Sequence, residues 1–133
     1  MLIAAAVLWR VAGHRPDARP EEAAPERSPA IFAQRNGEAL YRAICQGCHM
    51  ADGRGAGGAG TYPSLAANPK LEDGGYPAFM VIKGNKGMPG FAEYLDDEQV
   101  AAVVNYIRRG FGNGYTKPYT AAEVTAVRQA SGT

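Results

Sequence analysis

One pentapeptide constrains this chain more than any other stretch: Cys45-Gln46-Gly47-Cys48-His49. Two thiols three positions apart, followed at once by an imidazole, form the Cys-x-x-Cys-His pattern that attaches a c-type haem. In that reading Cys45 and Cys48 reach the two vinyl groups on one edge of the porphyrin. His49 is then held beneath the ring, where its imidazole can ligate the iron. Other uses of paired cysteines fit less well. A thioredoxin-like dithiol needs a βαβ setting, whereas residues 34–44 read as a helix and 52–60 as a glycine-rich loop. Structural zinc wants four Cys or His ligands. The chain has 2 cysteines and 2 histidines, and the other histidine, His14, lies in a segment unsuited to packing. A plain Cys45–Cys48 disulfide leaves the downstream glycines and methionines without a role.

A chain of 133 residues holds one ordinary domain. With 17 glycines and 9% aromatic residues, its protein-only core is small. A buried porphyrin remedies that by supplying apolar surface to pack against. The formal net charge is +1, and residues 31–115 carry eight Lys/Arg against eight Asp/Glu. Long-range steering by net charge is therefore not expected. Basic patches interleaved with aromatics are missing from the sequence, so nucleic acid is not an expected partner.

Leu2 to Trp9 is an apolar run closed by Arg10. Eight residues are too few to cross a bilayer, which takes about 20. Residues 1–13 are expected to be a signal peptide or a partial membrane anchor, with Val11-Ala12-Gly13 as a small-residue cleavage site. Residues 14–30 contain Pro16, Pro20, Pro25 and Pro29 among alternating charges, which is linker composition. The domain proper is expected over 31–115. Ala33, Gly37, Leu40, Tyr41 and Ile44 recur at three- and four-residue steps and give the first helix one apolar face. Gly37 in mid-helix costs about 1 kcal/mol relative to alanine, a cost that makes sense if a second helix crosses closely there.

Asp52 to Gly60 has five glycines in nine residues. Neither a preceding strand nor a Gly-Lys-Ser/Thr ending is present, so this is not a phosphate-binding loop; backbone passing over a flat ring also selects glycine. In Tyr62-Pro63-Ser64-Leu65, the Pro63 carbonyl can accept the proton on the far nitrogen of His49. Such a bond fixes the tautomer and strengthens the imidazole as a donor. Residues 73–83 read as a short helix, with Pro77 tolerated in its first turn and Phe79, Met80 and Ile82 as its apolar residues. Gly84-Asn85-Lys86-Gly87 ends it, and Met88-Pro89-Gly90-Phe91 follows as a loop.

Four methionines compete for the remaining axial position. Met1 lies in the leader, and Met50 is tied to the His49 face of the ring. Met80 sits among apolar helix neighbours, where methionine usually fills core. Met88 is preferred because Pro89 stiffens its loop and Gly87 and Gly90 let it approach. The last main helix opens at 95–99, with Asp96 as cap and Gln99 as its capping-box partner. Its stripe is Val100, Val103, Val104, Tyr106 and Ile107, with Arg108 and Arg109 in the last turn and Gly110 as the stop. Its Val103/Tyr106/Ile107 face is the expected partner of the Gly37/Tyr41 face. Residues 116–133 form a C-terminal extension, in which Thr120 to Glu123 is a capping box for a short helix to about Gln129.

Taken in order, the Gly37/Tyr41 helix, Cys45-Gln46-Gly47-Cys48-His49, Tyr62-Pro63-Ser64-Leu65, Gly87-Met88-Pro89-Gly90-Phe91 and Val104-Asn105-Tyr106-Ile107 resemble class I c-type cytochromes over residues 34–110. The resemblance implies an all-α fold whose first and last helices cross around one covalently bound haem c. It also implies thioether links at Cys45 and Cys48, axial ligation by His49 and Met88, and Pro63 as the carbonyl partner of His49. The tail is similar to cytochrome subunits that serve bacterial periplasmic dehydrogenases. The expected function is then single-electron transfer, with a periplasmic dehydrogenase as donor and an oxidase or another cytochrome as acceptor. The expected location is periplasmic, soluble or tethered to the inner membrane by the N-terminus. No catalytic residue is expected. The rival reading, a haem enzyme or ligand sensor with a displaceable sixth ligand, would need distal groups such as histidine, and the domain has no second one.

Overall fold

A computed structural model describes residues 30–58 and 60–133. The expected leader 1–13 and all but the last residue of the expected linker 14–30 lie outside the described residues. The described chain is helical, with α1 Gly37–Leu40, a π-helical turn Tyr41–Cys45, α2 Gln46–His49, α3 Gly75–Lys83, α4 Asp97–Arg109 and α5 Ala121–Ser131. Short 3₁₀ turns occupy Ala30–Phe32 and Pro69–Leu71. Among the described residues no strand forms beyond two isolated bridges. None of these helices is long and apolar enough to cross a membrane.

The first helix starts later than its periodicity predicts and runs further. Asn36 adopts an extended backbone, and its side-chain oxygen accepts from Glu38 N and Ala39 N, which fixes the N-terminus. Ala33 is consequently exposed and outside the helix. Helical backbone continues through the π turn, where Gln46 N donates to Tyr41 O, and ends at His49. Gly37 is therefore the first helical residue rather than a mid-helix one. Its smallness is still required, because a Cβ there would lie 2.2 Å from Ala102 O on α4. The two helices cross backbone to backbone at this point.

Helix α4 carries the expected capping box between Asp96 and Gln99. Gln99 does more than cap: its Nε2 donates to Phe32 O (2.7 Å) and Gln34 O (2.8 Å), tying the N-terminal segment to α4. Val100, Val103, Val104 and Ile107 are buried. Tyr41 packs with Tyr106 and Phe111 at ring centroids 5.0–5.6 Å apart, filling the wedge where α1 and α4 cross.

Helix α3 begins at Gly75, two residues later than its sequence pattern suggests, because the Asp73 side chain accepts from Gly75 N and holds the turn before it. Its buried residues are Pro77, Ala78, Val81 and Ile82, while Phe79 faces solvent. The capping box at Thr120 and Glu123 forms, and α5 continues to Ser131. This last helix packs against α3 and α4 and buries Val124 completely. Arg108, 4% exposed, donates to the carbonyls of Leu71, Glu72 and Lys117, linking α4 to the segments on both sides.

Candidate haem site

Between the α1–α2 stretch, the loop after it, α3 and α4 lies an apolar cleft, of the kind in which cofactors are held, lined by hydrophobic side chains with a few convergent polar groups. Cys45, His49, Pro63 and Met88 all line it. Cys48 is exposed and does not line it. The walls are mainly apolar, with Leu65, Leu71, Val81, Val103 and Ile107 among them.

His49 is 7% exposed. Its Nδ1 lies 3.0 Å from Pro63 O, so Nδ1 carries the proton and donates, leaving the Nε2 lone pair free. The backbone brings this partner into place. His49 O accepts from Gly55 N at 3.0 Å. Ala56 and Tyr62 then exchange two hydrogen bonds of 3.0 and 2.8 Å, folding the glycine-rich loop back and delivering Pro63. On the other flank Tyr41 Oη donates to Met50 O at 2.7 Å. Met50 has φ 66° and ψ 163°, a region that a side chain adopts only under constraint. Burial raises the Tyr41 hydroxyl above the ordinary tyrosine range, with the charge of Cys45 adding to it, so it stays a donor.

Burial, followed by the neighbouring Cys48, pushes the Cys45 thiol up to about 12. Both cysteines are free thiols rather than a disulfide.

Met88 closes a tight turn with Asn85, through N–H···O bonds of 2.9 and 3.0 Å. The close backbone approach that brings it in falls at Gly84 and Gly90, not at Gly87. A Cβ at Gly84 would lie 2.4 Å from Met88 O and one at Gly90 2.7 Å from Ile82 O, whereas Gly87 stands in open space. Met80 also lines the cleft, together with Tyr76 one turn earlier on α3. Met80 is the methionine the sequence offers as the rival of Met88, and Tyr76 is not singled out there; their i, i+4 spacing is the signal that puts them on one face.

The donor set fits a haem. An imidazole with one nitrogen engaged, two soft thioether sulfurs and a thiol converge on an apolar cleft, the ligand chemistry of cytochrome iron. Among the described residues no cluster of three or more His, Cys, Asp or Glu side chains offers an alternative metal site.

Comparison with known proteins agrees. Residues 32–107 match the family described as Cytochrome C oxidase, cbb3-type, subunit III. Cytochrome c-552 of Thermus thermophilus is 35% identical over 118 residues, covering 73% of this chain and 77% of that protein. The cytochrome c subunit of Gluconobacter oxydans alcohol dehydrogenase (quinone) is 32% identical over 105 residues, 69% of this chain and 22% of that subunit. The gluconate 2-dehydrogenase cytochrome c subunit of Pantoea cypripedii is 33% identical, covering 70% of this chain and 24% of that subunit. The chain thus spans under a quarter of the length of these dehydrogenase subunits. With an all-α fold, a Cys-x-x-Cys-His motif beside an apolar cleft and these relatives, the chain belongs to the cbb3-type subunit III family of cytochrome c domains, a class I c-type cytochrome whose cofactor is covalently bound haem c.

Proposed function

We propose that this cytochrome passes single electrons from a periplasmic dehydrogenase to an oxidase or another cytochrome of the respiratory chain. The dehydrogenase is supported by what the similar subunits of Gluconobacter oxydans and Pantoea cypripedii are named for. In this reading Cys45 and Cys48 hold the thioether links, His49 and Met88 are the axial ligands, and Pro63 orients His49. No residue is catalytic. Residues 1–13 either direct export or tether the protein to the inner membrane, and 14–30 link them to the cytochrome domain.

Bound haem c supplies a one-electron Fe(II)/Fe(III) couple. The chain supplies the environment. Pro63 O holds the proton on His49 Nδ1, which keeps Nε2 aimed into the cleft as a basic donor. The Met88 thioether, a weak and polarisable donor, favours the reduced state and so a high potential. His49 and Met88 would together hold the iron from the chain and would leave no place on it for a substrate. The apolar walls exclude water and reduce reorganisation when charge changes. Docking of partners is expected to be weak and transient.

The single observation that carries this reading is His49, its Nδ1 3.0 Å from Pro63 O, sharing one cleft with Met88. The test is the absorption spectrum of the matured protein. The oxidised form should show the weak sulfur-to-iron band at the red end, and the reduced form should not bind carbon monoxide rapidly. A missing band with rapid carbon monoxide binding would instead establish the ligand-sensor or haem-enzyme reading.

A further inference from the structure

The two feet of the Met88 loop are held by a helix that lies outside the family match, which stops at residue 107. Arg128 on α5 spends every arm of its guanidinium on the segment leaving the loop and on the first residue of α4. Its Nη1 donates to Ala92 O at 3.0 Å, Nη2 to Leu95 O at 2.6 Å and Nε to Asp97 Oδ1 at 2.6 Å. The side chain is only 17% exposed, so these bonds are partly shielded from water. Thr125, one turn earlier, donates to the other carboxylate oxygen of Asp97. On the entering foot, Lys83 Nζ at the end of α3 donates to Ser131 O at 3.3 Å. Between the feet, Phe91 N donates to Val81 O at 2.9 Å. The loop's own bonds, the two between Asn85 and Met88, do not fix its exit direction.

We propose that α5 is a clamp on the Met88 loop, with Arg128 as the positioning residue that sets how firmly Met88 is presented to the cofactor. This rests on the assignment of Met88 as an axial ligand. Without Arg128 the carbonyls of Ala92 and Leu95 lose these donors, and the segment that begins four residues beyond Met88 loses its tie to α5. Among the described residues the hydrogen bonds of α5 go to the two feet of the Met88 loop and to Asp97, and none reaches His49 or Pro63, so the effect is expected on the Met88 side.

The test uses the full-length, haem-bearing protein and imidazole as a competing ligand for the oxidised form. Arg128→Met keeps the volume and removes all three bonds. It should keep its haem content and helical circular dichroism, weaken the sulfur-to-iron band and bind imidazole about tenfold more tightly. Arg128→Lys, which keeps the charge but not the fork, should fall between wild type and Arg128→Met; it also carries the test if Arg128→Met does not accumulate. Asn36→Ala, which removes the α1 cap at a cost of about 1 kcal/mol, controls for general loss of stability and should leave imidazole affinity unchanged. If the band and imidazole affinity of the Arg128 variants equal those of wild type, the clamp is refuted while Met88 stands. If wild type itself lacks the band, the Met88 assignment falls and the clamp falls with it.

Discussion

The two sides of the cleft are built in opposite ways. His49 is held by neighbours in sequence: two cysteines within four residues, Tyr41 through Met50 O, and Pro63 fourteen positions on. Met88 sits in a tight turn whose surroundings are set by residues 36 positions away, where Arg128 holds Ala92. The first side is local and dense in constraints; the second is assembled only when the tail docks. Local constraint survives partial opening of the fold, whereas a loop held by distant contacts opens first. The difference teaches that one ligand is a fixture and the other an adjustable part.

The largest effect that tests this contrast comes from removing each ligand in turn. His49→Ala should abolish accumulation of haem-bearing protein, read as pigment that stays with the polypeptide in acidified acetone. Met88→Ala should keep the pigment attached and let the reduced protein bind carbon monoxide. Equal loss of pigment in both would erase the contrast.

Tyr41→Phe comes next. It keeps the ring among Tyr106 and Phe111 but leaves Met50 O without its buried donor, which should cost about 1–3 kcal/mol in denaturant unfolding of the haem-bearing protein. Its imidazole affinity should not change, since the Met88 side is untouched.

Acid should act on the other side. Burial tends to raise Asp97, but hydrogen bonds from Thr125 and Arg128 and the Arg128 charge outweigh it, holding the carboxyl below the ordinary aspartate range. A carboxyl lowered in the folded state contributes stability above its unfolded pKa, and that contribution is lost as pH falls through the folded one. Imidazole affinity of the oxidised protein, corrected for protonation of imidazole itself, should therefore rise as pH drops below about 4. Asp97→Asn should show the looser behaviour already at neutral pH and a flatter profile. The smallest effect is expected at Lys86, whose φ of 51° is unfavourable for a side chain. Lys86→Gly should gain about 0.5 kcal/mol in thermal unfolding, strain relief being partly offset by unfolded-state freedom.

This asymmetry also decides what could be read from the residues alone. The Asp96/Gln99 and Thr120/Glu123 boxes and the α4 stripe are short-range patterns, and each forms as its spacing predicts. Gly37 pointed to a helix crossing because only close backbone approach rewards a missing side chain. What periodicity misplaced was the start of α1, where Asn36 offers a stronger cap than anything upstream, and the start of α3, where Asp73 caps the turn instead of joining the helix. Met80 competes as a ligand but reads as core filling, and Tyr76 carries no signal, since a cleft is a property of several segments at once. The grip of Arg128 on Ala92 and Leu95 has no sequence signature, because its acceptors are carbonyls that every residue carries.

The contact between Gly37 and Ala102 O also has a bearing on biogenesis. Gln34 and Gln99, which meet at the same junction, are 65 positions apart, so closing it carries a large loop-entropy penalty and comes late. A chain that closes this junction late therefore keeps Cys45 and Cys48 open and unshielded until then. The ring is sealed in only afterwards, when the later helix arrives and lies across the earlier one.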